Sequence, residues 1–283
     1  MLRDLCFAAT SNQQRLSSIQ HPERRCAVKL PFVISIPHCS GRIPDAIKPA
    51  LALNHDDIND SVDSGTREIF GSLDAADILW ARWSRLVVDL NRDPGRRDAK
   101  GVIARVDYSG RQIYRPDMAP HPTEIDERLN RYYWPYHLRL REILGQEHIK
   151  GLLDGHSLNG VGPSEAPDAG RKRKDIVLSN NGDHNGEATP SLGPTTCGVE
   201  VLHLMREVFM SAGFSVSLND PYTAGFITTH YGRTLAERGK FAVQMEINQD
   251  LFIEPGTVRI LPEKLATAGH RIRRCFDDIA RVI

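Results

Sequence analysis

Three short apolar runs in this chain each stop on a side chain that can bind a metal ion or work beside one. FVISIPHCSG reaches His38, GLLDGHS reaches His156, and FAVQMEIN carries Glu246 near its end. Each run is rich in Val, Ile, Leu, Phe or Met and is bounded by Gly, Pro or Asn, the pattern of a buried strand. In open α/β sheets ligands sit beyond the carboxyl ends of the strands. His, His and Glu at three strand ends are therefore the right kinds of residue for one site built from distant segments. Such a site needs a few protein ligands, an open position for water and a carboxylate to handle protons.

The rest of the chain alternates in the same spirit. Strands are expected at residues 32–36, 86–90, 152–154, 176–178, 214–218 and 241–247. Ile69, Phe70 and Leu73 keep helical spacing over 66–77. The strongest helical signal covers 124–148, where Ile125, Leu129, Tyr132, Tyr133, Tyr136, Leu140, Ile143 and Leu144 hold one apolar face. Pro135 should kink or split that helix. A further helix over 199–212 closes on Gly213 as its C′ residue. The last helix turns Ile272, Phe276, Ile279 and Ile283 to one side. Strands alternating with helices give an α/β fold with a mixed, mostly parallel central sheet flanked by helices. With no internal repeat and no linker, residues 1–283 are expected to form a single catalytic domain. Residues 1–30 form an irregular arm, and 155–198 a Gly/Pro/Ser-rich loop too long for a plain connection and so placed near the site.

Composition excludes several classes. The formal net charge is zero, with 36 basic and 36 acidic residues, so the chain shows no nucleic-acid footprint and no attraction to anionic membranes. The RKRK run at 171–174 is expected to be a solvated loop. Cys6, Cys26, Cys39, Cys197 and Cys275 are scattered and never form a C-x-x-C pair, which argues against a disulfide framework. No apolar stretch spans a membrane and no secretory h-region opens the chain, so the expected location is cytoplasmic. No pattern in the sequence encodes an oligomeric state.

Each candidate site residue has a plainer alternative. His38 or His156 alone is more often a hydrogen-bonding imidazole at a strand end than a ligand. Glu246 lies in a segment expected to be buried, where an unpaired charge is costly. It is either half of a structural ion pair or a general base whose pKa burial raises. A third ligand is needed. His121-Pro-Thr-Glu124 has ligand-like spacing, but Thr123 suits an N-cap and Glu124 a first-turn acid. Asp63 is the other choice, and it too can cap the helix that follows. The chain has no H-E-x-x-H, no G-x-S-x-G and no P-loop.

Seven segments, in order, resemble the N-formylglutamate amidohydrolase family over roughly residues 32–255. They are Ile36-Pro-His-Cys-Ser-Gly, Asp63-Ser-Gly-Thr, Val88-Asp-Leu-Asn-Arg, Tyr114-Arg-Pro, Asp154-Gly-His-Ser, Gly225-Phe-Ile-Thr-Thr-His-Tyr-Gly and Gln244-Met-Glu-Ile-Asn-Gln. The resemblance implies a fold like that of zinc carboxypeptidases and succinylglutamate desuccinylases. It also implies metal-assisted hydrolysis of the amide of a small N-acyl amino acid, with one Zn²⁺ or another divalent ion. By position it makes His38, Asp63 and His156 metal ligands and Glu246 the general base, with His230 either a further donor or a core or loop hydrogen-bonder. Asn91, Arg92, Tyr114 and Arg115 become substrate-binding, although Arg92 can equally pair with Asp89 or Asp93. Many relatives carry a second acid four residues after the aspartate, where this chain has Arg67. Ligation in that loop then falls to Asp63, with Glu68 as the alternative. The competing readings are hydrolysis of a different N-acyl amino acid or a peptide, or a non-catalytic binding protein on the same fold.

Overall fold

Six strands build one sheet in the computed structural model, which describes residues 29–283. They are β1 (Leu30–Ile36), β2 (Ala75–Trp80), β3 (Gly151–Leu158), β4 (Ile176–Ser179), β5 (Val216–Leu218) and β6 (Phe241–Asn248), in the order β2-β1-β3-β6-β4-β5. Every neighbouring pair is parallel except β4–β6. The expected mixed, mostly parallel sheet is therefore present. The helices are α1 (His55–Asp60), α2 (Thr66–Phe70), α3 (Pro122–Arg128), α4 (Trp134–Leu144), α5 (Val199–Ser211), α6 (Phe226–Ala236) and α7 (Pro262–Ile279). The expected arm over residues 1–30 lies almost wholly outside the described residues, as do Cys6 and Cys26. Cys39, Cys197 and Cys275 are free. Among the described residues no helix is long and apolar enough to cross a membrane.

Alternation along the strands sorts the sheet into two faces. Phe32, Ile34 and Ile36 of β1 join Phe241, Val243, Met245 and Ile247 of β6 in one core, covered by α2, α5 and α7 through residues such as Phe70, Phe209 and Phe276. Val33, Leu152 and Ala242 point the other way, into a second core with Leu140 and Ile143 of α4 and Ile227, Tyr231 and Leu235 of α6. On this second face the strands change character along their length. In β3 the sequence of inward positions is Leu152, Asp154, His156, and in β6 it is Ala242, Gln244, Glu246, all buried. Each strand starts as core and ends as chemistry.

Several elements differ from the sequence-based expectation. The helix expected over 66–77 stops at Phe70, and residues 75–80 form β2, a half-exposed edge strand beside β1. Conversely, Leu86–Leu90 is not a strand. Leu86, Val87, Val88 and Leu90 are buried in the second core as a non-repetitive segment, with Asp89 N–H bonded to the carbonyl of Val102 at 2.8 Å. Strand β3 continues to Leu158, so His156 sits inside it, and the expected long loop is divided by β4. Helix α6 is not among the expected elements, although Ile227, Tyr231 and Leu235 recur at helical spacing.

The long helix is not divided in two: α3, a π turn and α4 follow one another without a gap and with helical backbone at each junction, and the local irregularity falls at Pro135. Pro135 opens α4 directly after the π turn over Leu129–Tyr133, whose wider ring shows in the Trp134 N–H donating to the Leu129 carbonyl. Helix α3 starts at Pro122 after His121, so Thr123 is not the cap. Gly213, at φ 82°, ends α5 in a Schellman arrangement, with Phe214 N–H bonded to the Phe209 carbonyl and Gly213 N–H to that of Met210. Ile283 lies beyond the end of α7 and is exposed.

Gly155, between the two polar residues of β3, faces the first core, where a Cβ would come within 2.6 Å of the Phe70 ring. Gly155→Ala is therefore expected to lower stability by about 1–3 kcal/mol through overpacking. A urea midpoint shifted down at unchanged slope would verify it.

Candidate metal centre and its pocket

His156 and Glu246 are direct neighbours because β3 and β6 pair in parallel with His156 opposite Glu246 and Asp154 opposite Gln244. Adjacent strands lie about 4.8 Å apart, so these four side chains form a polar block on one face. His38 joins it from the turn after β1, its ring centroid 4.9 Å from that of His156. Asp63 arrives from the loop before α2, where its N–H donates to the His38 carbonyl at 3.0 Å. The cap position of α2 is Gly65, and the Asp63 side chain is turned to the histidines instead. One ligand atom from each of His38, Asp63 and His156 lies within 4.8 Å of the others, and all three residues are buried.

The hydrogen bonds set the ring orientations. His38 Nε2 donates to Asp89 Oδ1 at 2.7 Å, which leaves Nδ1 as the nitrogen bearing the lone pair. That Nδ1 is buried without a hydrogen-bond partner, the one such side-chain atom among the described residues, and it lies 3.4 Å from Asp63 Oδ2. A lone pair facing a carboxylate oxygen is unfavourable unless a cation lies between them. His156 Nδ1 meets the same Asp63 oxygen at 2.8 Å, while its Nε2 lies 3.1 Å from Asn91 Nδ2 and 3.3 Å from Asp154 Oδ2. Each imidazole thus presents Nδ1 to Asp63 and has a carboxylate beside Nε2, the outer-shell arrangement that orients histidine ligands.

Charge is unbalanced here. Asp63, Asp89, Asp154 and Glu246 are all buried, and Arg85 reaches into them, 2.7 Å from Asp89 Oδ2 and 3.7 Å from Asp63 Oδ1. Burial opposes ionisation of Asp63, but the two imidazoles it faces outweigh it and hold its carboxyl well below the usual range. Burial also disfavours a charged His156, yet Asp154 and Asp63 carry its pKa well above that of a free imidazole. The group draws positive charge to the point where the two Nδ1 atoms and Asp63 converge. A divalent ion fits that demand.

The group opens into a cavity of about 240 Å³. Glu246 lies on its floor, with Oε1 accepting from Gln244 Nε2 at 3.0 Å, and burial raises its carboxyl above the ordinary 4.5. Asn91 and Arg92 line the cavity. Asn91 is fixed by the Ile227 N–H donating to its Oδ1 at 2.8 Å, and Arg92 Nη1 donates to the Asn91 carbonyl. Arg92 makes no ion pair with Asp89 or Asp93, leaving its guanidinium without a carboxylate partner among the described residues.

The other suggested residues are elsewhere. Tyr114 is buried with its hydroxyl accepting from Arg128 Nη1 at 2.8 Å. Arg115 is exposed and donates to the Leu51 carbonyl. His230 stacks on Phe226 along α6, outside the cavity lining. Glu68 is exposed on α2. Arg85 and Tyr222 line the site and carry no motif of their own, whereas Asp154 opens the Asp154-Gly-His-Ser segment and lies two residues before His156 on the same face. Arg173 of the expected solvated RKRK run is also buried here, paired with Asp168.

A family model described as N-formylglutamate amidohydrolase matches residues 30–253. The chain is 26% identical over 242 residues to an N-formylglutamate deformylase of Pseudomonas putida, and 28% identical over 239 residues to an N-formylglutamate deformylase of Pseudomonas aeruginosa. Each alignment covers 80% of this chain and 83% of the relative. The crystal structure of an N-formylglutamate amidohydrolase from Ralstonia eutropha has the same fold, with a TM-score of 0.71 at 22% identity, covering 90% of this chain and 94% of that one.

The geometry makes two expectations measurable by elemental analysis and metal titration. His156→Ala should abolish stoichiometric binding of a divalent ion. Asp89→Asn, which keeps the shape but weakens the hold on His38, should lower metal affinity by about 10- to 100-fold.

Proposed function

The chain belongs to the N-formylglutamate amidohydrolase family, and from that premise we propose that it is a metal-dependent amidohydrolase releasing formate from N-formylglutamate. The observation that carries the metal dependence is the unpartnered His38 Nδ1 facing Asp63. His38, Asp63 and His156 would hold the ion, and two imidazoles with one carboxylate suit Zn²⁺. Such an ion, when bound, supplies a Lewis acid that polarises a carbonyl and acidifies water. Residues drawn from His38 through Glu246 support a single catalytic domain.

The side chains divide the remaining work. Glu246 is the general base: Gln244 holds one of its oxygens, and its raised pKa strengthens its affinity for a proton. It takes a proton from the attacking water and delivers it to the amine nitrogen as the C–N bond breaks, giving formate and glutamate. Arg85, fixed by Asp89, is the cation closest to the ligand group and suits the developing oxyanion, a role worth about 3 kcal/mol where it has been measured. Arg92 complements the substrate α-carboxylate, since a guanidinium offers a carboxylate two parallel hydrogen bonds.

Formate release from N-formylglutamate, with and without a chelator, tests the reading. Activity should vanish on chelation and return with Zn²⁺. Glu246→Gln should retain the metal and lose about 10²- to 10⁴-fold in kcat. Wild-type turnover in that variant would remove Glu246 from the mechanism.

A further inference from the structure

Tyr222 is a firmly anchored residue on the cavity wall whose hydroxyl the mechanism leaves without a task. Its carbonyl accepts from Ser179 Oγ at 2.6 Å, and the Thr223 carbonyl accepts from the Asn181 N–H at 2.7 Å, so the backbone is pinned to the end of β4. Arg173 Nη2 donates to its hydroxyl oxygen at 3.1 Å. Arg173 is itself locked by two bonds to Asp168, at 2.8 and 2.7 Å, with both side chains buried. The hydroxyl therefore accepts from a fixed guanidinium, and its proton has no acceptor among the described residues. The half-buried ring lines the cavity. A phenol backed by a guanidinium is a strengthened donor toward whatever enters.

What it meets follows from the shape of the substrate, and this step rests on the N-formyl reading above. A formyl group ends in a hydrogen, so contacts beyond the reacting carbonyl are made to the amino-acid half. That half offers an α-carboxylate and a side chain. Among the cavity guanidiniums, Arg85 is held by Asp89 and Arg173 by Asp168, which leaves Arg92 for the α-carboxylate. Arg92 follows Asn91, which touches His156 of β3. Tyr222 is anchored to β4, on the opposite side of the Glu246 strand in the sheet order. We propose that Tyr222 is a specificity-determining residue that donates a hydrogen bond to the polar end of the substrate side chain, favouring glutamate or glutamine over apolar side chains of similar length.

The test compares formate release by the metal-loaded wild type and Tyr222→Phe on N-formylglutamate, N-formylglutamine and N-formylnorvaline. For the first two, kcat/KM should fall about tenfold or more, mainly through KM, while N-formylnorvaline changes by less than about twofold. An equal loss on all three substrates, or no loss on any, overturns the assignment. A wild type inert toward all three would instead sink the N-formyl reading, and the assignment with it, before any variant is made.

Discussion

The site depends on the register between β3 and β6. Parallel pairing sets His156 opposite Glu246 and Asp154 opposite Gln244, so a ligand and a base come from residues 90 apart without any loop having to position them. A one-residue slip of β6 would turn Gln244 and Glu246 into the aromatic core beneath the sheet and set Met245 or Ile247 opposite His156. The two hydrophobic cores prevent that slip. The apolar packing that stabilises the fold therefore also fixes the reactive geometry.

Electrostatics completes what register begins. Four buried carboxylates surround two imidazoles, and Arg85 with a charged His156 does not balance them. In a low-dielectric setting such a cluster is expensive unless additional positive charge is present. The rings have been turned to receive it, with Nε2 of each beside a carboxylate and Nδ1 of each directed at Asp63. Folding stability and metal affinity are linked in this design, since an ion that binds only the folded chain stabilises it by mass action.

Much of this was legible in the sequence, for identifiable reasons. His38, His156 and Glu246 stood out because each interrupts an apolar run, and buried strands advertise their polar residues. Pro135 and Gly213 were readable because their effects are local. The segments at 75–80 and 86–90 depart from expectation because which apolar run pairs with β1 is a property of the whole fold. Tyr114, Arg115 and His230 carried resemblance but no geometric signal, and they lie away from the cavity. Arg85 and Tyr222 reach the pocket through loops whose paths no periodicity encodes. Arg173 was hidden in a basic run, and only its pairing with Asp168 draws it inside.

The single antiparallel junction, β4 against β6, has a wider consequence. Because β4 runs backwards, the segment 159–175 leaves the rim of the sheet at the end of β3 and returns to that same rim. A connection whose two ends are anchored on one side can lengthen or shorten with a closure cost that grows only logarithmically. Insertions there would remodel the mouth of the pocket while the strands and their reactive residues stay fixed. The fold thus separates a connection whose length can vary, outside the Asp168–Arg173 pair, from strands whose register fixes the reactive residues.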